Sequence, residues 1–157
     1  MKLILMRHAK SSWDMPLDDH SRPLNPRGRK AAKALGDWLR DKGHVPEQAI
    51  ISDAVRAQET YARLGVDADM TAHRSLYLAP ASSMWVEITK RASADYVLVV
   101  GHNPGIGVLA GLIGDHSHPR FEDYPTGATM VVAIQKTDGP PRGHVLDFVV
   151  PRDLVRA

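Results

Sequence analysis

Two arginines and two histidines stand shortly after apolar segments of this sequence. They are Arg7, His8, Arg56 and His102. Arginine offers a planar fork of donors that suits phosphate oxygens, and a neutral histidine can act as a nucleophile near neutral pH. If the fold brings the four together, they form a pocket for a dianionic phosphoryl group. These residue types therefore predict phosphoryl chemistry.

Three short apolar runs are placed to position these side chains. The runs are Leu3 to Met6, Ala49 to Ile51 and Tyr96 to Val100. Each is typical of a buried strand in a parallel sheet, and the last is β-branched enough to lie at the sheet centre. Open α/β sheets bind ligands at the carboxyl ends of their strands. We therefore expect the four side chains to meet at one edge of the sheet.

Arg56 lies in the first turn of a predicted helix that runs to about Leu64, with Ser52 or Asp53 as its N-cap. A cation in the first turn opposes the helix dipole. That placement is unfavourable unless an anion binds there. The position of Arg56 thus also favours an anion site.

The rest of the chain predicts alternating helices and strands. One helix begins at Asn25-Pro26 and ends near Gly43, with Ala31, Leu35, Trp38 and Leu39 on its inner face. Further predictions are a strand from Met70 to His73, a helix from Ala81 to about Arg91, a helix capped by Asn103 with Pro104 in its first position, and strands from Ala128 to Ile134 and Val145 to Val150. This order predicts one domain over residues 1–157, an α/β/α sandwich of three layers around a mostly parallel mixed sheet with an antiparallel edge.

Composition excludes several classes of protein. A net charge of +2 and a pI near 9.0 are too mild to indicate a nucleic-acid partner. The lack of cysteine excludes disulfide scaffolds, cysteine-ligated zinc and cysteine nucleophiles, and it is consistent with the cytoplasm. No signal peptide or apolar stretch of bilayer length is present, so we expect no membrane partner. A monomer is the expected state.

Other site motifs fail on the same sequence. The spacing of Gly105, Gly107 and Gly111 does not match G-x-G-x-x-G, and neither a P-loop nor a G-x-S-x-G elbow is present. The segment from Asp115 to His118 is interpreted as a solvated loop and not as a metal site. Four other histidines are expected to be surface or hydrogen-bonded residues, namely His20, His44, His73 and His144.

Three spaced motifs resemble those of the histidine phosphatase superfamily, also called the phosphoglycerate-mutase-like family. They are Met6-Arg7-His8-Ala9, Ser52 to Thr60 (S-D-A-V-R-A-Q-E-T) and Gly101-His102-Asn103-Pro104. The segment Met6 to Trp13, Arg22-Pro23-Leu24 and Pro125-Thr126-Gly127 are similar to the short SixA-type phosphohistidine phosphatases. This resemblance covers nearly the whole chain, and it implies a phosphoglycerate-mutase-like fold without a lid domain.

The resemblance also implies roles for individual residues. His8 matches the nucleophile that becomes transiently phosphorylated, and Arg7, Arg56 and His102 match the other members of the phosphate pocket. Asn103 lies beside that pocket, where it could bind substrate or cap the following helix. The resemblance implies no metal and no cofactor. The third position of the usual R-H-G motif is Ala9, a mild change that recurs in this branch.

A general acid is missing where many family members carry one. The segment Arg74 to Pro80 has no carboxylate, and Asp14, Asp18 or Asp19 of the first loop could substitute. An alkoxide leaving group needs a proton, whereas a phosphohistidine has a labile P–N bond and makes less demand on an acid. We therefore expect a phosphohistidine-bearing protein as substrate. Alternatives are a phosphatase of small phosphate esters and a module that binds phosphorylated partners without turnover.

Overall fold

A mixed β-sheet forms the centre of the fold. The structure is a computed structural model that describes residues 1–114, 123–135 and 140–155. Within these residues the sheet has six strands in the order β3-β2-β4-β1-β5-β6. They are β1 (Lys2–Arg7), β2 (Gln48–Ser52), β3 (Asp69–His73), β4 (Tyr96–Gly101), β5 (Thr129–Ala133) and β6 (His144–Val149).

The strand directions confirm the predicted sheet. β1 and β4 are parallel neighbours at its centre, with Arg7 opposite Gly101. β2 is parallel to both β3 and β4. β5 is antiparallel to β1, and β6 is antiparallel to β5. The parallel strands β1, β2 and β4 therefore end at the same edge of the sheet.

Helices cover both faces of this sheet. They are α1 (Pro26–Asp41), α2 (Val55–Leu64), α3 (Ala81–Arg91) and α4 (Gly105–Ile113). Side chains alternate along β1, so that Ile4 and Met6 pack in one cluster with α1 and α2 while Leu3 and Leu5 pack in another with α3 and α4. This alternation produces the three layers that the sequence predicts. No helix among the described residues has the length and hydropathy needed to cross a membrane.

The ends of α1 agree with the sequence signals. Asn25 is the N-cap, and its side chain accepts a hydrogen bond of 2.8 Å from the backbone N–H of Gly28. The chain leaves the helix through Lys42 and Gly43, whose φ of 74° is in the left-handed region that glycine adopts without strain. The predicted inner face is buried. Local chemistry therefore fixes this helix.

The predicted cap of α2 is wrong, and the predicted start of α4 is one residue too early. The N-cap of α2 is Ala54 and no side chain caps it, because Ser52 and Asp53 are bound to histidines elsewhere. α4 begins at Gly105 with Pro104 as its N-cap, one residue later than the sequence predicts. Tertiary contacts outweigh the local signal at the start of α2, whereas the side chain of Asn103 still accepts the N–H of Gly107 in the first turn of α4.

Close backbone packing fixes the segment that follows β1. A Cβ atom on Gly28 would lie 2.0 Å from the carbonyl oxygen of Lys10, so only glycine fits there. On the other side, the N–H of Gly127 donates to the carbonyl oxygens of Arg7 and His8, each at 3.0 Å. The start of α1 and the turn before β5 thus hold the end of β1 between them.

Candidate active site

The four predicted residues line one pocket at the carboxyl ends of β1 and β4. The pocket has a volume of about 260 Å³ and is lined by Arg7, His8, Lys10, Ser11, Trp13, Arg22, Arg56, Leu78, His102, Asn103 and Thr126. The rings of His8 and His102 have centroids 5.0 Å apart, and Nε of Arg56 lies 3.3 Å from Nε2 of His8. The structure therefore brings together the residues that the sequence places on three different elements.

His8 is held as a neutral imidazole with one unprotonated nitrogen. Its Nδ1 lies 2.7 Å from the carbonyl oxygen of Ala9, which can only accept, so Nδ1 carries the proton. Nε2 then has the lone pair, and it accepts the Nε–H of Arg56. Burial, together with the charges of the neighbouring Arg56 and Arg7, lowers the pKa of His8 to about 4. Nε2 of His8 is thus suited to nucleophilic attack.

Ala9 fits the position that usually holds glycine. It is fully buried and packs with Leu24, Ala31 and Ala32. Its N–H donates to the hydroxyl of Thr60 at 3.0 Å. The small apolar side chain fills space between α1 and the loop, and it leaves the carbonyl group free to bind His8.

Ser52 fixes the orientation of the second histidine. Its hydroxyl oxygen lies 2.7 Å from Nε2 of His102 and also accepts the N–H of Ala54 at 3.2 Å. Since Ser52 is fully buried, its hydroxyl proton needs an acceptor, and Nε2 of His102 supplies one. Nδ1 of His102 then carries the ring proton. Burial lowers the pKa of His102 to about 3, assisted by His8 and Arg56, so the ring is neutral.

Two buried nitrogens at this pocket have no hydrogen-bond partner among the described residues. They are Nε of Arg7 and Nδ1 of His102. The same arginine also uses Nη1 to bind the carbonyl oxygen of Tyr124 at 3.3 Å. Buried donors are nearly always satisfied in folded proteins. An anion with several oxygens, such as a phosphoryl group, would satisfy both.

Arg56 is almost fully buried and connects the nucleophile to the first loop. Only 3% of its surface is exposed. Nη1 donates to the carbonyl oxygen of Asp19 at 2.6 Å, and Nη2 donates to the carboxylate of the same residue at 2.9 Å. The prediction that Arg56 sits in the first turn of α2 is confirmed. Its guanidinium reaches the pocket in a fixed orientation.

Asp19 is ionised and bound to cations, which makes it a poor general acid. Its carboxylate accepts hydrogen bonds from Arg22, Arg56 and Tyr77. Burial raises the pKa of Asp19, but these hydrogen bonds outweigh burial and hold the pKa well below its usual range. The other two candidates, Asp14 and Asp18, are exposed and are absent from the described lining of the pocket.

Arg22 is a lining residue that the sequence reasoning did not assign to the site. It is 6% exposed, donates to the Ser11 hydroxyl at 3.0 Å and binds the Asp19 carboxylate. The Trp13 ring lies 3.4 Å from its guanidinium carbon. The motif Arg22-Pro23-Leu24 supports the resemblance to the family, but it does not by itself place Arg22 in the pocket. The pocket thus holds a third arginine.

Asn103 lies at the pocket with both ends of its amide engaged. Nδ2 donates to the carbonyl oxygen of Tyr124 at 2.9 Å, and Oδ1 accepts the N–H of Gly107 at 3.1 Å. The side chain therefore supports the first turn of α4, although Pro104 is the formal N-cap. A contact between Asn103 and substrate stays a prediction.

The remaining described histidines lie outside the pocket. His20 is bonded to Asp53 at 2.7 Å and His44 to Asp147 at 3.2 Å, while His144 is exposed. No three His, Asp or Glu side chains within residues 1–114, 123–135 and 140–155 are grouped as metal ligands. The segment from Asp115 to His118 lies outside the described residues.

The sequence is related to a known family and to curated bacterial proteins. A model of the histidine phosphatase superfamily, branch 1, matches residues 3–77. An uncharacterized protein of Mycobacterium tuberculosis is 39% identical over 137 residues, which span 82% of this chain and 87% of that protein. The range that the family model matches, residues 3–77, contains Arg7, His8 and Arg56.

Two solved structures have the same fold over nearly the full chain. One, from Agrobacterium tumefaciens, is named provisionally as the phosphohistidine phosphatase SixA; it has a TM-score of 0.82 at 27% identity and covers 96% of this chain and 97% of its own. Another with the same provisional name, from Nakamurella multipartitia, has a TM-score of 0.80 at 28% identity and covers 96% of this chain and 95% of its own.

Proposed function

The chain belongs to the histidine phosphatase superfamily, in its SixA-type branch, and on that basis we propose that it removes the phosphoryl group from phosphohistidine in a partner protein. The reaction runs through a phosphorylated His8 and uses no metal. The observation that carries the proposal is the combination of a neutral, oriented His8 with a pocket whose described lining holds cations but no carboxylate.

The first step transfers the phosphoryl group to the enzyme. Nε2 of His8 attacks phosphorus in line, the new P–N bond forms, and the P–N bond of the substrate breaks. The Nδ1–H bond to the Ala9 carbonyl stabilises the positive charge that develops on the ring. Arg7, Arg56 and His102 hold the equatorial oxygens and offset their charge in the transition state.

The second step returns the enzyme to its starting state. Water attacks phosphorus, the bond to Nε2 of His8 breaks, and inorganic phosphate leaves. The bound proton on Nδ1 lets the His8 ring depart as neutral imidazole. The same donors serve both transition states, because the same phosphoryl oxygens stay in the pocket.

The leaving group explains why phosphohistidine is the preferred substrate. A phosphorylated imidazole that carries a proton on its second nitrogen departs as neutral imidazole without an acid in the pocket. An alkyl ester would depart as an alkoxide and lose the ~10²–10⁴-fold that a positioned acid provides. Asp19, which is bound to two arginines, is not suited to donate that proton.

The open pocket agrees with a protein substrate. Trp13 and Leu78 at its mouth are 77% and 53% exposed, and no insertion among the described residues covers them. Exposed apolar side chains at a site often contact a partner. A cytoplasmic signalling protein that carries phosphohistidine is the partner we propose.

A side-by-side assay tests this function. Wild type, His8→Ala and the control His144→Ala are given a phosphohistidine-bearing protein and p-nitrophenyl phosphate, with circular dichroism to check folding. We expect wild type and His144→Ala to clear the phosphohistidine faster than the ester. His8→Ala should clear neither, and wild type that is denatured under alkaline conditions, in which phosphohistidine is stable, should retain the phosphoryl label on His8. A chelator should leave the rate unchanged.

Each other outcome points to a different function. Faster hydrolysis of p-nitrophenyl phosphate than of phosphohistidine would identify a phosphatase of small esters. Binding of the phosphoprotein without turnover or labelling would identify a binding module. Substantial activity in folded His8→Ala would remove the nucleophile assignment, and loss of activity that zinc or magnesium restores after chelation would overturn the metal-free reaction.

A further inference from the structure

A second cavity adjoins the active site and is continuous with it. It has a volume of about 470 Å³ and is lined by Lys10, Arg27, Lys30, Ala31, Thr126, Pro151, Arg152 and Val155. It lies between the first turns of α1 and the short 3-10 helix Pro151–Asp153. Lys10 and Thr126 also line the pocket around His8. We call this cavity the basic groove; a ligand that extends from the active site past Lys10 enters it.

The cations of the basic groove have no carboxylate partner among the described residues. All four are exposed, namely Lys10, Arg27, Lys30 and Arg152, and none forms an ion pair within the described part of the chain. Elsewhere on the surface, Arg63 and Arg91 are paired with Glu59 and Glu87. The described lining of the groove contains no acidic residue. Its charge is thus available to a negatively charged partner.

The arrangement of the groove suits an extended chain better than a single phosphate. In the active site, donors such as Arg56 and His102 are buried and converge on one point. In the basic groove, the cations stand on exposed flexible stems around an apolar floor that includes Ala31 and Val155. Several carboxylates spaced along a peptide can each meet one cation, while its backbone and apolar atoms cover the floor.

We propose that the basic groove binds an acidic segment that flanks the phosphorylated histidine of the partner protein. This inference rests on the proposed function, because it assumes that the phosphorylated residue of a protein occupies the pocket at His8. Aspartate or glutamate side chains a few residues from the histidine contact Lys30, Arg152 and their neighbours. The groove thereby selects among phosphohistidine proteins by the charge of the flanking sequence.

Two matched peptides test the selection. Each carries one phosphohistidine. The acidic peptide has Asp and Glu beside it, and the neutral peptide has Asn and Gln at the same positions. Wild type should have the higher kcat/KM for the acidic peptide, by about two- to five-fold for each cation engaged. Most of this preference should disappear at about 1 M salt, where exposed charges are screened.

Charge reversal locates the effect. In the double variant Lys30→Glu/Arg152→Glu, the ratio of kcat/KM between acidic and neutral peptides should fall by about ten-fold. The matched control is Lys42→Glu/Lys90→Glu, which makes the same change in net charge at exposed lysines that do not line the groove. The control should keep the wild-type ratio. An equal fall in both double variants would mean that overall charge, and not the groove, sets the preference.

A binding measurement separates this inference from the function on which it rests. An unphosphorylated acidic peptide is titrated into ¹⁵N-labelled protein, and the backbone signals of Lys30, Thr126 and Val155 should shift. If neither phosphopeptide is hydrolysed but these signals shift, the proposed substrate fails and the groove still binds acidic chain. If hydrolysis is equal for both peptides and the signals stay in place, the groove inference is wrong. Tighter binding of pyrophosphate than of the peptide would assign the groove to a small anion and would also overturn it.

Discussion

The hydroxyl of Ser52 lies 2.7 Å from Nε2 of His102, and both side chains are buried. Ser52 ends β2 and His102 follows β4, so a contact between two strand ends sets which nitrogen of the ring carries its proton. The consequence is that Nδ1–H is presented as a hydrogen-bond donor without any charge on the ring. His102 can thus bind a phosphoryl oxygen over a wide range of pH.

Removal of this hydroxyl should impair catalysis more than binding. In Ser52→Ala, Nε2 of His102 loses the hydroxyl that donates to it and the ring populates both tautomers. We therefore expect kcat to fall by about ten-fold or more, while stability drops by about 1–3 kcal/mol. Ser52→Thr, which keeps the hydroxyl, should restore most of kcat. Steady-state kinetics and the ¹⁵N shifts of the His102 ring check this. An unchanged ring tautomer in folded Ser52→Ala would contradict the assignment.

Asp19→Asn should slow the reaction by the same factor for good and poor leaving groups. The carboxylate orients Arg22 and Arg56, so its neutralisation weakens phosphate binding for every substrate, by about ten-fold in kcat/KM. The comparison uses p-nitrophenyl phosphate, which has a good leaving group, and an alkyl phosphate, which has a poor one. Asp14→Asn is the control at an exposed residue of the same loop. A loss confined to the alkyl ester would instead make the substituted aspartate the general acid.

As the pH is lowered, the free energy of unfolding should begin to fall at a higher pH than in a protein whose histidines are exposed. His8 and His102 have folded-state pKa values of about 4 and about 3, below the value near 6.5 of an unfolded chain. Between about pH 6.5 and 4 the unfolded state therefore binds protons that the folded state does not, and the free energy of unfolding falls by up to about 1.4 kcal/mol per histidine per pH unit.

Urea unfolding across this interval measures the effect. His8→Gln should reduce the slope by about half, because one of the two buried rings no longer takes up a proton on unfolding. The slope is compared above about pH 5, where the carboxylate of Asp19 is ionised in the folded chain and nearly so in the unfolded chain; closer to pH 4 its protonation in the unfolded state adds to the fall. A slope that is unchanged in His8→Gln would show that His8 is not held neutral by the fold.

Gly28→Ala should cost both stability and activity. The added methyl group would meet the carbonyl oxygen of Lys10 at 2.0 Å, and the loop after His8 would have to move, at a cost of about 1–3 kcal/mol. Gly43→Ala is the matched control, because nothing lies within 4 Å of its Cβ position and only its φ of 74° opposes the change. Both variants should melt earlier. Only Gly28→Ala should lower kcat per folded molecule.

The sequence was most informative where local chemistry decides the structure. The apolar runs before Arg7 and His102 and the first-turn position of Arg56 follow from neighbouring residues, and all three side chains were predicted to meet. The Asn25 cap of α1 and the Gly43 exit are of the same kind. Parallel strands then bring such residues to one edge whatever the loops between them do.

The sequence was least informative where partners lie far apart along the chain. Ser52 has the chemistry of a helix cap, but its hydroxyl binds a ring that lies 50 positions away. Asp19 has the chemistry of an acid, but Arg56 binds it across 37 positions. The loop from Ala9 to Pro23 has no periodicity from which the buried position of Arg22 within it could be inferred. Competition among polar partners decides these positions, and it is settled only in the folded chain.

The contacts of Gly127 with Arg7 and His8 have a consequence for protein synthesis. During synthesis the segment that carries His8 emerges before its partners, because His8 donates its N–H to Gly101 and the Gly127 contacts close only after many more residues have been added. At normal rates of elongation the nascent chain therefore waits several seconds with an unassembled site. A nascent chain therefore lacks the backbone contacts that fix the end of β1 until Gly127 has emerged.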